Sequence, residues 1–285
     1  MSMSYKYRGV RPITVTSFDG VRYQGKASLS LPCGDTYDYL FLRSNLPAAR
    51  LSFKARLNGK VFYEAPMTVF DMLDAYKELN QQQNTAQNGY VYVIPFADLS
   101  MRLKDGQNLT GLVTQVGESF DIEVTIAAKA SGDPETPQLS AHPLLGLPRA
   151  QRIFLPRLEV ANIPTPATGT NQFSSLPNVP NRTVRRMHFA TDKIDRIDIK
   201  RDDDEAYSTD CFLEKFRAKR NKRTWQNGWT HLDFIMRGYI QNEMFPTVRD
   251  KQLIFTLNTT AATGSIDVYI EYLDCEKPEL LTQGG

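Results

Sequence analysis

The chain has 285 residues, which is enough for two domains that each bury a core of their own. Its 34 basic and 32 acidic residues give a net charge of +2, and this balance argues against a surface given over to nucleic acid, because phosphate binding needs a sustained basic excess. No apolar run approaches the roughly 20 residues that cross a bilayer. Residues 1–8 lack the apolar core of a signal peptide. The three cysteines are scattered and favour neither a disulfide framework nor a zinc site. We therefore expect a protein that is made in a reducing cytoplasm.

The first half of the chain alternates polar and apolar residues, which predicts strands with one buried face. These strands are expected at residues 27–31, 37–43, 51–57, 61–63, 89–94, 111–114 and 120–126. Asn58-Gly59 predicts a hairpin, because both residues tolerate positive φ. A helix is predicted over residues 68–79, where Asp71 follows Thr68 at the spacing of an N-terminal cap.

A linker is predicted at residues 131–152, because proline and glycine recur there and fit poorly in central strands or helix interiors. The residues concerned are Gly132, Pro134, Pro137, Pro143, Gly146 and Pro148. This divides the chain into a first domain with an N-terminal arm at 1–130 and a second domain with a C-terminal tail at 153–285. A second proline-containing stretch, 161–182, is expected to be irregular and to lie on a surface or reach a neighbouring subunit.

The second half of the chain repeats the first. Strand 194–200 is matched to 37–43, helix 209–223 to helix 68–79, and the closing strand 265–272 to 119–126. Repeats of this length indicate two copies of one domain rather than a solenoid of short units. Many short strands with Gly, Pro and Asn turns predict an all-β protein built from two sandwiches or barrels in tandem, each with one short helix.

These paired helices, opening strands and closing strands resemble the double jelly-roll major capsid proteins of tailless icosahedral viruses. The chain is near the small end of that family, like the capsid proteins of corticovirus-like bacteriophages with an internal membrane, and the resemblance spans residues 27–272. It implies two tandem eight-stranded antiparallel jelly-roll domains and a pseudo-hexameric homotrimer that tiles an icosahedral virion shell. The implied partners are neighbouring capsomers, vertex (penton) and minor capsid proteins and internal membrane lipid, with no small-molecule substrate.

A basic segment follows the start of the second helix, next to Trp225 and Trp229. It consists of Lys215, Arg217, Lys219, Arg220, Lys222 and Arg223. Basic residues beside aromatic ones suit nucleic acid, through phosphate contact and stacking, or the anionic headgroups of an internal membrane. The alternative is a solvated helix face whose charges pair with acidic neighbours.

An acidic run precedes the same helix and consists of Asp202, Asp203, Asp204 and Glu205. Clustered carboxylates supply the hard oxygen ligands that Ca²⁺ prefers, so calcium is a candidate cofactor here. The alternative is that acidic residues before a helix are favoured by the helix dipole.

No pattern predicts an enzyme. His142, His188 and His231 are isolated in the sequence, with no metal-ligand spacing, nucleophile elbow or phosphate-binding loop. His231 is predicted to be a satisfied histidine within a strand, and Cys211 a small buried residue. Two alternatives to a coat protein stay open at this point. One is a carbohydrate-binding or carbohydrate-active protein on paired jelly rolls, with Trp229 and tyrosines stacking on sugars. The other is a nucleic-acid-binding protein that uses the basic segment.

Overall fold

The computed structural model describes residues 11–13, 17–79, 89–102 and 104–280. The strands are β1 (Arg11–Pro12), β2 (Lys26–Leu31), β3 (Thr36–Ser44), β4 (Leu51–Leu57), β5 (Lys60–Pro66), β6 (Tyr90–Pro95), β7 (Leu112–Val113), β8 (Phe120–Ile126), β9 (Leu139–Leu145), β10 (Phe154–Thr165), β11 (Gly169–Phe173), β12 (Arg182–Phe189), β13 (Ile194–Arg201), β14 (Asp204–Asp210), β15 (Thr230–Asp233), β16 (Phe245–Pro246), β17 (Leu253–Thr259) and β18 (Gly264–Cys275). The helices are α1 (Met67–Tyr76), α2 (Lys104–Thr110), α3 (Cys211–Arg220) and α4 (Ile240–Glu243). Nowhere in the described ranges is a helix long and apolar enough to cross a membrane.

The chain forms two compact units that are not simple halves of the sequence. The first contains Met1–Asp71, Gln82–Leu99 and Lys104–Pro156, and the second contains Met72–Gln81, Ser100–Leu103 and Arg157–Gly285. The end of α1 and the turn after it therefore belong to the second unit.

The strands of the first unit pair in the orders β1-β9-β3-β6 and β2-β8-β4-β5, with the two-residue β7 beside β3. The strands of the second unit pair in the orders β10-β18-β12-β15 and β11-β17-β13-β14, with the two-residue β16 beside β12. Without β7 and β16, both units have the same arrangement, because counting strands along the chain gives the orders 1-8-3-6 and 2-7-4-5 in each. Two four-stranded antiparallel layers connected in this way form a jelly roll. The expectation of two eight-stranded jelly rolls is confirmed.

The helices and the hairpin lie where the sequence predicts them. α1 and α3 each connect the fifth and sixth strands of their unit, and both end three residues before the predicted end. The Asn58-Gly59 turn joins β4 and β5 with φ angles of 51° and 76°. The short helices α2 and α4 were not predicted.

The strand matches within the repeat were wrong by one place. In both units the third strand belongs to the sheet with the order 1-8-3-6, so β3 corresponds to β12. The sequence matched β3 to β13, but β13 is the fourth strand of its unit and corresponds to β4. The closing strands shift in the same way: β8 corresponds to β17, and the counterpart of β18 is β9. Short alternating strands share one pattern whatever their place in the sheet, so the pattern alone does not fix their order.

Strand β9 lies inside the predicted linker at 131–152. It pairs with β3 on one side and with β1 on the other, so Pro143 occupies a central strand. The Pro143 carbonyl accepts a hydrogen bond from the Ile13 N–H at 2.9 Å, so it faces β1. The N–H and C=O groups of one strand residue point to the same neighbouring strand, so the N–H that proline lacks would also face β1, which is only two residues long. The ladder to β3 keeps its donors, which is why proline is tolerated here. The predicted irregular stretch 161–182 also differs, since it contains the end of β10 and all of β11.

Candidate functional site

Helix α3 carries the predicted basic segment and begins with a side-chain cap. The Asp210 carboxylate accepts a hydrogen bond from the Leu213 N–H at 2.7 Å, which satisfies one of the free amides of the first turn. Cys211, Glu214 and Ala218 are the buried residues of the helix. The Oε1 atom of Glu214 accepts hydrogen bonds from the hydroxyls of Tyr207 and Thr209, each at 2.9 Å.

Three large apolar side chains of α3 are exposed, next to the exposed Lys219 and Arg220. Phe212 is 84% exposed, Leu213 46% and Phe216 58%. We call these three side chains the α3 face. Neighbouring large apolar side chains on a surface mark a contact site more often than isolated ones do.

The structure does not bring the six predicted basic residues to one surface. Lys215, Lys219, Arg220 and Lys222 are exposed. Arg217 is half-buried and pairs with Glu214, and Arg223 is buried with its Nε atom 3.5 Å from Oδ2 of Asp233. Lipid or nucleic-acid contact therefore stays a prediction, and only the four exposed residues could take part without rearrangement.

The acidic run is spread over a turn and the start of a strand. Asp202 forms the turn before β14 with a φ of 54°, and its Oδ1 atom accepts hydrogen bonds from the N–H groups of Lys251 and Gln252 at 2.7 and 3.1 Å. These backbone bonds lower the pKa of Asp202. Asp203 pairs with the Lys251 ammonium at 2.6 Å.

In the part of the chain that the structure describes, no group of three or more acidic, histidine or cysteine side chains is placed to hold a metal ion. Calcium at residues 202–205 stays a prediction, which a chelator tests through the thermal stability of the protein.

A buried polar cluster lies on the side of the β18-β12-β15 sheet that faces away from the core. Successive side chains of a strand point to opposite faces, so Met187, Leu232 and Ile270 enter the core while their neighbours point the other way. The polar neighbours are Arg186 and His188 on β12, His231 and Asp233 on β15, and Glu271 on β18. Tyr76 and Lys77, which belong to the same compact unit, complete the buried polar cluster.

Glu271 is the most heavily paired carboxylate of the buried polar cluster. Its Oε2 atom lies 2.9 Å from Nζ of Lys77 and 3.4 Å from Nη1 of Arg186, and its Oε1 atom is 3.1 Å from Nε2 of His188. Burial alone would raise the pKa of Glu271, but Lys77 and Arg186 outweigh it and hold the pKa well below its ordinary value. Asp233 is bound on the other side, 2.9 Å from Nε of Arg186.

The two buried histidines contact each other. Their Nδ1 atoms are 2.8 Å apart, and the Tyr76 ring packs on both, with centroid distances of 5.4 Å to His188 and 4.4 Å to His231. Burial lowers the pKa of His188 and, more strongly, that of His231. His231 is satisfied in a strand, as predicted. The pairing itself was missed, because 43 residues separate the two histidines in the sequence.

Cys211 is buried at the start of α3, as the sequence predicts. Burial raises its pKa to about 12, so at neutral pH it is a thiol and not a thiolate. His142, in the first unit, is only half-buried and lies in β9, 3.2 Å from the Ser140 hydroxyl.

Comparison with protein families gives two matches that together span most of the chain. The N-terminal domain of viral coat protein P2 matches residues 12–144, and the C-terminal domain of the same protein matches residues 155–275. The chain belongs to the viral coat protein P2 family. Curated protein sequences give no match.

Solved structures show the same fold for this coat protein. The major capsid protein P2 of bacteriophage PM2 superimposes with a TM-score of 0.81 at 16% identity, covering 97% of this chain and 99% of that one. The MCP of STIV gives a TM-score of 0.71 at 9% identity over 96% and 99% of the two chains. The PBCV-1 virus capsid gives 0.65 at 10% identity over 96% of each. The double jelly-roll fold is thereby confirmed.

The chain is thus a viral coat protein, which assembles with other coat subunits into the shell of the virion. The family matches do not favour the carbohydrate alternative. The N-terminal family match runs to residue 144, so it includes nearly all of strand β9.

Proposed function

We propose that this coat protein forms a homotrimer whose six jelly rolls produce a pseudo-hexameric capsomer, and that these capsomers tile the flat facets of the shell. The observation that carries the proposal is the shared strand order 1-8-3-6 and 2-7-4-5 of the two units. Three chains then supply six similar units, so a closed threefold assembly is nearly hexagonal in outline. We further propose that the two jelly rolls divide between β9 and β10, and the support is that β9 pairs with β3 of the first unit.

The role of the protein in this assembly is structural, and we assign it no enzymatic step. Closed jelly rolls suit the role because they leave few open strand edges that could pair with other chains. The histidines that could have served as acids or bases are used inside the fold, since His188 and His231 are buried and satisfied by one another and by Glu271.

The native mass in dilute solution tests the homotrimer. Three chains of 32.4 kDa give about 97 kDa, and we expect this species by light scattering coupled to size exclusion. Electron microscopy of concentrated protein should then show flat hexagonal arrays. A protein that stays at 32.4 kDa at high concentration would contradict the proposal.

Beyond the trimer, we propose that vertex and minor capsid proteins complete the shell, and that the four exposed basic residues of the α3 region contact the anionic headgroups of a membrane beneath it. The support is that all four are exposed and that Lys219, Arg220 and Lys222 form no ion pair with an acidic side chain among the residues that the structure describes. Flotation with phosphatidylglycerol vesicles tests this contact. Binding that is lost at high salt, and that is absent with phosphatidylcholine vesicles, is the expected result.

A further inference from the structure

The two buried histidines belong to a chain of hydrogen bonds that fixes where their protons lie. The backbone N–H of Gln226 donates to Nε2 of His231 at 3.4 Å, so this nitrogen carries a lone pair and the proton of the ring is on Nδ1. Nδ1 of His231 then donates to Nδ1 of His188, 2.8 Å away. The proton of His188 is therefore on Nε2, which donates to Oε1 of Glu271 at 3.1 Å. Each ring nitrogen makes one hydrogen bond, and both rings are neutral.

A further proton has no place in this hydrogen-bonded chain. It could bind only to Nδ1 of His188 or to Nε2 of His231, because the other two ring nitrogens already carry protons. On His188 it would point two N–H groups at each other across 2.8 Å, and on His231 it would oppose the N–H of Gln226. Proton uptake therefore breaks a hydrogen bond and favours a different arrangement of the two rings.

The charged groups around the two rings disfavour an additional positive charge. The buried cations are Lys77 directly after α1, Arg185 and Arg186 on β12, and Arg223 after α3. The buried carboxylates are Asp74 on α1, Asp233 on β15 and Glu271 on β18. Glu271 is already shared by Lys77, Arg185 and Arg186, and Asp233 by Arg186 and Arg223. A protonated imidazole would have to compete with these cations for the same carboxylates.

The end of α1 is attached to this cluster mainly through side chains. Strands β12, β15 and β18 are joined to one another by ladders of backbone hydrogen bonds. Residues 72–79 belong to the same compact unit but to none of its sheets. Their Tyr76 ring packs on both histidines, and Lys77 is 2.9 Å from Glu271. The backbone adds a hydrogen bond from the Thr224 N–H to the Tyr76 carbonyl at 3.0 Å.

We propose that the His188–His231 pair is a pH-sensitive switch, which holds residues 72–79 on the second unit at neutral pH and releases them in acid while the jelly roll stays folded. In the neutral state the two rings support Tyr76 and leave Glu271 available to Lys77. A protonated pair rearranges beneath Tyr76 and competes with Lys77 for that carboxylate. The other side of the sheet is apolar and keeps its packing in the core.

The direction of the switch follows from proton binding. Burial lowers the pKa of both histidines while the segment is attached, and release returns it toward the ordinary value of 6.5. The released state therefore binds more protons, and the equilibrium shifts toward it by about tenfold per pH unit below 6.5 for each proton taken up. The switch lies within one chain, so it does not depend on the proposed homotrimer.

Hydrogen exchange followed by mass spectrometry tests the release. The amides of Lys77 and Leu79 report on the segment, because they donate to the carbonyls of Leu73 and Asp74 at 3.2 and 3.1 Å. Strand β17 reports on the core of the jelly roll. After correction for the intrinsic pH dependence of exchange, protection of residues 72–79 should fall about tenfold from pH 6.5 to pH 5.5, and protection of β17 should stay constant.

The two tryptophans of the chain provide a second readout, which needs no substitution. The rings of Trp225 and Trp229 lie 4.9 and 6.5 Å from that of His231. A protonated imidazole quenches the fluorescence of a neighbouring indole. The emission should therefore decrease over the same pH range as the loss of protection, and it should recover when the protein is returned to neutral pH.

Two variants assign the effect to the histidine pair. The double substitution His188→Gln and His231→Asn removes both titrating groups and retains side chains that donate and accept hydrogen bonds. It should abolish the pH dependence of protection in residues 72–79. His142→Asn changes a half-buried histidine of the first unit and is the matched control, so it should leave that dependence as it is in the parent protein.

Three results would overturn the proposal. Loss of protection in residues 72–79 and in β17 at the same pH would mean that the unit unfolds as a whole. Unchanged protection of the segment down to about pH 5, more than one unit below the ordinary histidine pKa, would mean that the pair does not control it. An equal loss in the parent and in the double variant would assign the pH dependence to other groups. The first two results come from the parent protein alone, so they decide the matter even where the double variant does not fold.

Discussion

His188 and His231 stand directly opposite each other on strands β12 and β15, with their Nδ1 atoms 2.8 Å apart. A hydrogen bond at this distance needs a proton on one nitrogen and a lone pair on the other, so at least one ring is neutral. Lys77 and Arg186 are close by and disfavour further positive charge, and only Glu271 opposes them at His188. The pair is therefore a neutral element inside a buried group of charges.

Acidification should destabilise the second jelly roll through this pair. Because burial lowers the pKa of both histidines in the folded protein, the unfolded chain binds more protons below its own histidine pKa of about 6.5. The free energy of unfolding is then unaffected by the pair above that pH and decreases as the pH falls below it. Urea unfolding at a series of pH values between 8 and 5 should show this decrease.

Two variants check the assignment of the pH dependence to the buried pair. His231→Asn removes the more strongly shifted histidine and should reduce the slope below pH 6.5. His142→Asn removes a half-buried histidine of the first unit and should leave the slope as it is. Equal slopes in all three proteins would mean that other groups cause the acid sensitivity.

Glu271→Gln should be among the most destabilising substitutions of a charged residue. It leaves Lys77 and Arg186 buried without their shared carboxylate, and breaking a buried ion pair in this way costs about 3–5 kcal/mol. Glu64→Gln is the control, because the Lys54–Glu64 pair is of similar length, 2.7 Å, but Glu64 is 51% exposed. That change should cost at most about 1 kcal/mol. Chemical unfolding of the two variants under the same conditions makes the comparison.

Arg152→Gln should destabilise the first jelly roll at neutral pH and make it less sensitive to acid. The guanidinium of Arg152 donates to both oxygens of Glu118 at 2.8 and 2.9 Å and holds the pKa of that carboxyl at about 2. A lowered pKa stabilises the fold above the ordinary carboxyl value of 4.5 and loses this effect as the pH falls toward 2. The variant should lose about 1.5–3 kcal/mol at pH 7, typical of a charge-assisted hydrogen bond. Its stability should then change less between pH 4.5 and pH 2 than that of the parent, and an unchanged profile would contradict this role of Arg152.

Asp210→Ala should cost about 1 kcal/mol, because it removes the cap from the Leu213 amide at the start of α3. Asp210→Asn keeps a capping oxygen and should restore most of the loss. Thermal unfolding of the two variants measures the difference. Similar losses in both would indicate that the negative charge of Asp210, rather than its hydrogen bond, stabilises the helix.

The sequence predicts those features of this fold that depend on neighbours in the chain. The Asn58-Gly59 hairpin and the two helices follow from local conformational preferences and were placed within a few residues. The order of strands does not follow in this way, because β3 and β4 have the same alternation and differ only in their partners. The first-unit counterpart of β13 was assigned one strand too early for this reason.

Pro143 and the two histidines also depend on partners that are distant in the sequence. Pro143 disfavours a strand because it lacks the N–H that would donate a hydrogen bond to a neighbouring strand. The energetic cost depends on which strand that N–H would face, and at this position it would face the short β1. His188 and His231 looked unimportant because nothing near them in the sequence suggests a partner. Their partners come from three strands and from the end of α1, which only the folded chain brings together.

The second compact unit is discontinuous along the chain, since it takes in residues 72–81 as well as 157–285. A ribosome therefore synthesises Tyr76 and Lys77 long before the strands that bury them, and the later half cannot neutralise Glu271 in the same way without that earlier segment. Expressed alone, residues 153–285 would carry a sheet face with an exposed acidic group and an unpacked histidine pair. The two halves of this duplicated chain are alike in topology, yet the second unit takes Tyr76 and Lys77 from the first half to complete its buried polar cluster.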